Sequence, residues 1–184
     1  MGEYYLISQL PSLDGISDNT ELPITEERFT ELCNRFLGKK SLEALKKLTL
    51  LPPKNSESSG FVLIDAWNGS ERDLRYALGK ARAEKMQKPF DTENICFPVE
   101  YIKAASAATE IENPLEAEKY LNNFRLGVLE SLRPMDMFSE DYIFYYGLKL
   151  KLLRRIRGFD TRIGEKAYKN IYDSILNGNS LEAK

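Results

Sequence analysis

Trp67-Asn-Gly-Ser-Glu-Arg-Asp-Leu-Arg-Tyr-Ala-Leu-Gly-Lys-Ala-Arg-Ala83 is the stretch on which the fold class turns. Ser70 is a residue type that caps helices, and Asp73 stands three residues on, where a carboxylate favours the helix start. Leu74, Ala77, Leu78 and Ala81 recur at helical spacing, and Met86 extends the stripe. Arg72, Arg75 and Arg82 occupy the other surface, with Arg75 and Arg82 seven residues apart on one face. The pattern predicts a helix from Ser70 to about Lys88, ended by Pro89. Asn68-Gly69 reads as a break. The preceding Phe61–Trp67 has the composition of a strand or a helical turn, with helix favoured.

The same reading extends both ways. Thr25 is an N-cap followed by Glu26 and Glu27, and Ile24 and Phe29 have hydrophobic-staple spacing. Phe29, Leu32, Cys33 and Phe36 form an apolar face that ends at Gly38. Ser41 is read as the cap of a short helix carrying Leu42, Leu45 and Leu48, stopped by Pro52-Pro53. Pro98 to Ala108 is a further short helix. Asn113, followed by Pro114 and Glu116, starts a helix to about Leu132 with Tyr120, Leu121, Phe124, Val128, Leu129 and Leu132 on its buried stripe. Ser139 caps a helix through Arg157, and Asp160 or Thr161 caps a last one through Leu176. Tyr4–Leu10 is read as a short strand or extended segment, the first turn of a helix being the alternative.

The fold expected is an all-α multi-helix bundle with a short N-terminal extended segment. The 184 residues suffice for one core or two small helical lobes, 1–90 and 98–178, with a frayed tail at 179–184. No apolar run reaches the roughly 20 residues of a membrane span. Met1-Gly2-Glu3-Tyr4-Tyr5 lacks a signal-peptide pattern, so cytoplasm is the default compartment.

Composition narrows the chemistry. The chain has no histidine, which removes Ser-His-Asp and Cys-His nucleophile systems and imidazole metal ligands. Cys33 and Cys96 stand alone, so no zinc site or disulfide framework is indicated. There is no GxGxxG or GxxxxGK[ST] run to cradle a phosphate. Acidic pairs such as Glu26-Glu27 and Glu140-Asp141 sit at helix starts, where the helix dipole accounts for them. No catalytic, cofactor or metal residue is assigned, and a non-enzyme is expected. The net charge of −2 argues against a nucleic-acid binder.

Two basic clusters remain. Between residues 71 and 88 there are six basic and three acidic residues, a net of +3. From Lys149 to Arg162 six basic residues face one acid, Asp160, a net of +5. Trp67, Arg72, Arg75, Arg82, Lys151, Arg154, Arg155 and Arg157 are therefore the candidate partner-binding residues, suited to carboxylates of another protein or, for the second cluster, to anionic lipid headgroups.

The opening Tyr4-Tyr5-Leu6-Ile7-Ser8-Gln9-Leu10-Pro11-Ser12-Leu13, taken with Trp67…Glu71-Arg72-Asp73-Leu74-Arg75-Tyr76-Ala77-Leu78…Ala81-Arg82-Ala83, resembles a bacterial family encoded with V-type (A/V-type) ATPase subunits. The Trp then Leu-Arg-x-x-Leu-x-x-x-Arg-Ala pattern is also similar to helical repeats of the C (d) subunit of that rotary ATPase. The chain is shorter than the usual three-lobed C subunit, and beyond about residue 100 the likeness is only helical character. The resemblance implies a peripheral or accessory protein without an active site. Such a protein would couple the central-stalk subunits to the membrane rotor ring at the inner face of the cytoplasmic membrane. It would have no small-molecule substrate, and its membrane contact would be indirect, through the complex. A general helical adaptor for an acidic protein partner is the alternative.

Overall fold

The computed structural model describes residues 2–16, 21–54, 58–90, 98–158 and 168–175. Within them the chain is helical and contains no strand. The helices are α1 (Gly2–Gln9), α2 (Glu26–Phe36), α3 (Lys39–Lys47), α4 (Val62–Lys85), α5 (Val99–Glu110), α6 (Pro114–Ser131), α7 (Glu140–Arg157) and α8 (168–175). None of the described helices is long and apolar enough to cross a membrane. Cys96, Arg162, the Asp160 or Thr161 cap and the tail at 179–184 lie outside the described residues.

The N-terminal segment is a helix, α1, rather than an extended strand. Burial decides this over β-propensity. Leu6 is fully buried, and Ile7 and Leu10 pack on the same core, while Tyr4 and Tyr5 point outward. Gly2 lets α1 approach the end of α2, since a Cβ there would lie 2.6 Å from the Phe36 carbonyl oxygen.

α4 corrects a second expectation. It runs unbroken through Asn68-Gly69, and Ser70 is an interior residue rather than a cap. Leu63, Ile64, Trp67, Leu74 and Leu78 are buried along one stripe. That shared burial outweighs the roughly 1 kcal/mol an interior glycine costs. Ser41 is likewise no cap. Gly38 holds that position, and the buried Ser41 hydroxyl donates to Glu140 Oε1 at 2.6 Å, tying α3 to the start of α7. The caps at Thr25, Asn113 and Ser139 are formed as read, each side chain accepting from a backbone N–H of the first turn.

α7 is the centre of the larger core. Ile143 to Leu150 is buried without interruption. α1, α2, α3, the start of α4 and the end of α6 surround it. Gly147 is the point of closest approach, where a Cβ would meet Phe29 at 3.2 Å and Leu48 at 3.3 Å. A smaller core joins the second half of α4 to α5 and the start of α6 through Leu74, Ala77, Leu78, Tyr101, Ala105 and Leu121. α4 and α6 thus run through both cores.

Candidate functional site

The two basic clusters meet inside the protein. Arg75 Nε donates to Glu71 Oε1 at 3.0 Å. The same carboxylate receives Arg125 in two-pronged fashion, Nε to Oε2 at 3.0 Å and Nη2 to Oε1 at 3.2 Å. Arg125 Nη1 lies 3.6 Å from Glu118 Oε1, which also pairs with Arg155. Five alternating charges therefore link α4, α6 and α7. Glu71 and Arg125 are both buried. At the other edge of α7, Lys151 donates to Glu26 Oε2 at 2.8 Å and Arg154 lies 3.1 Å from Glu26 Oε1.

This placement changes how the candidate residues read. Trp67 is 1% exposed and belongs to the core, so it is no surface anchor. The cavity beside it, about 10 Å³, holds one water at most. Lys151, Arg154 and Arg155 hold helices of this chain together, and Arg75 pairs within α4. Arg72 and Arg157 are partly buried, and Arg82 is exposed. Glu71, Glu118 and Arg125 were not singled out in the sequence. A signal existed for two of them: Glu71 falls on the Trp67–Leu74–Leu78 stripe, and Arg125 lies midway between Leu121 and Leu129, where helical spacing wants apolar residues.

A second polar hub fixes the corner between α1, α6 and α7. The buried Lys149 ammonium donates to Asp14 Oδ1 at 2.6 Å, Glu130 Oε1 at 2.5 Å and the Tyr145 hydroxyl at 3.2 Å. Tyr145 in turn donates to Glu130 at 2.7 Å, and the Tyr146 hydroxyl donates to the Pro11 carbonyl at 2.8 Å. Burial alone would lower the Lys149 pKa, but its hydrogen bonds to Asp14, Glu130 and Tyr145 outweigh it and hold the ammonium above its ordinary value. The hydrogen bond from Lys149 pulls the Asp14 carboxyl down. Desolvation works against ionised Glu130, yet Lys149 and Tyr145 bring its pKa below the ordinary value as well. Burial, reinforced by Glu130, pushes the Tyr145 phenol up to about 12.

The sign of the pH effect follows. Carboxylates with depressed folded pKa values contribute stability above their unfolded value of about 4, and lose it as pH falls through the folded value. Acidification to about pH 3 should therefore cost the wild type more stability than a Lys149→Met variant, which has no ammonium to hold those carboxylates. Urea midpoints of both proteins at neutral and acid pH measure this. Parallel acid slopes would show that the hub does not link protonation to folding.

An apolar platform lies where α1 meets the turn before α7. Tyr4 stacks on Phe138 with ring centroids 4.6 Å apart, and Tyr5 meets Tyr4 edge-on. Tyr4 is 58% exposed and Phe138 45%, and Tyr5, Met135 and Met137 are exposed too. The connection carrying Met135, Met137 and Phe138 is ordered by Asp136. Its side chain accepts from Phe138 N, and its carbonyl accepts from the Ser139 hydroxyl. Among the described residues no group of three or more metal-binding side chains converges. Cys33 is a buried thiol whose pKa desolvation raises to about 12.

Compared with protein-family models, with curated proteins and with solved structures, the chain matches none.

Proposed function

We propose that the protein is a non-catalytic helical adaptor, an accessory or peripheral protein of a V-type ATPase resembling its C (d) subunit, and that it contacts the central stalk and rotor ring. The observation that carries the adaptor reading is the Tyr4, Tyr5, Met135, Met137 and Phe138 platform. Aromatic and methionine side chains are the types enriched at protein interfaces. Here they stay exposed where α1 meets the turn before α7. The Glu71–Arg125 network also supports this reading, because it joins helices around a space of only about 10 Å³. The link to the ATPase rests on the sequence resemblance alone. In it the protein works on the cytoplasmic side and touches the membrane only through the complex.

The test is recovery of ATPase subunits by tagged protein from gently solubilised membranes, comparing wild type with a Tyr4→Ser, Phe138→Ser double variant. Both residues are well exposed, so the circular dichroism spectrum should be unchanged. Wild type should recover stalk or rotor subunits, and the variant about tenfold less or lower still, the scale of an interface anchor lost. Wild type recovering neither subunit would remove the ATPase assignment. Equal recovery by the two proteins would remove the platform as the contact.

A further inference from the structure

With the arginines of α4 and α7 largely committed to internal pairs, the unspent cations lie elsewhere. A cavity of about 670 Å³ opens between α3 and the start of α4. Lys40, Glu43, Ala44 and Lys47 line one wall at helical spacing, and Phe61, Ile64 and Asn68 line the other. Leu48 and Leu51 contribute apolar surface, and Lys54 adds a third ammonium. Lys40 Nζ lies 5.3 Å from the Phe61 ring centroid. Among the described residues, none of Lys40, Lys47 and Lys54 pairs with a carboxylate, unlike Lys149 and Lys151. Among the described residues, three ammonium groups against Glu43 leave the groove at +2.

We infer that this groove docks an acidic segment of a partner protein carrying one apolar anchor residue. Charge complementarity sets the acidic character, and the apolar surface of Leu48, Leu51, Phe61 and Ile64 sets the anchor. Spacing favours a peptide over a small anion. Lys40 and Lys47 are two helical turns apart, about 10 Å along α3, a spacing that matches acids spread along a chain. The inference rests on the adaptor reading and specifies which chemistry the adaptor recognises.

The experiment measures binding of labelled eight-residue peptides to the full chain by fluorescence anisotropy at low and high salt. One set has glutamates flanking a central Leu or Phe. A second replaces the glutamates by Gln, and a third replaces the anchor by Ala. The first set should bind, with affinity falling as salt rises. Loss of either the acids or the anchor should weaken binding about tenfold. A Lys47→Glu, Lys54→Glu variant should keep its circular dichroism spectrum and lose the salt-sensitive binding, and Leu51→Ser should lose the preference for the anchor. Equal binding of all three peptide sets, or no effect of the variants, overturns the proposal. So does saturable binding of decanoate by a groove that takes no peptide, which would make it a small-molecule site. No ATPase subunit is present in this assay. Its failure therefore leaves the recovery experiment standing, and failure of that experiment leaves this one standing.

Discussion

Glu71→Ala is expected to cost about 3–5 kcal/mol, a large part of a domain's stability, because it leaves Arg125 charged and buried without its partner. Arg125 has its Nε and Nη2 on the Glu71 carboxylate, and its remaining bonds are a 3.3 Å contact to Asn122 and the 3.6 Å pair with Glu118. Neither neighbour replaces a two-pronged carboxylate. The loss should not appear when the charges are removed together. A Glu71→Leu, Arg125→Met double variant should recover most of the stability, since a well-packed apolar pair of similar volume is often neutral against a buried ion pair. Arg75→Ala should do little, roughly 0–1 kcal/mol, because that side chain is 43% exposed. Urea unfolding of the four proteins at neutral pH measures all three statements. A Glu71→Ala loss below about 1 kcal/mol would mean the network orders the helices without stabilising them.

Trp67→Ala is expected to be equally severe, about 3–5 kcal/mol, the range for deleting a large buried aromatic side chain. Trp67 lies in the larger core, yet its indole Nε1 has no hydrogen-bond partner. Trp67→Phe should therefore lose less than the change in volume suggests, because it also removes an unsatisfied donor. As the sole tryptophan it reports on itself: its emission should be blue-shifted in the folded protein and move to the red on unfolding. A Trp67→Ala variant as stable as wild type, with exposed-type emission in the parent, would place the indole at the surface after all.

The helices were legible because their signals are local. A cap such as Thr25, Asn113 or Ser139 needs only its own first turn, and the apolar spacing of α2, α6 and α7 is written in the residues themselves. Where a local signal competed with burial, burial won. The β-prone Tyr4–Leu10 became helix through Leu6, and Asn68-Gly69 failed to break α4 because Trp67 and Leu74 are both held in cores. Side-chain partners were legible least. From α7 alone, Arg154 and Arg155 read as a cationic surface, since nothing nearby in sequence opposes them. Their carboxylates, Glu26 and Glu118, lie far away in the chain and arrive only when α2 and α6 pack on α7.

By itself, then, the sequence determined that the fold is all-α, where α2, α5, α6 and α7 begin and end, and that imidazole chemistry is closed to it. Those properties depend on residue type and on spacing within a few turns. The tertiary structure alone decided which charges are spent and which are free. A lysine or arginine is the same residue in either case, and only its distance from a carboxylate on another helix separates the Arg155 that joins α7 to α6 from the Lys47 that faces an open groove.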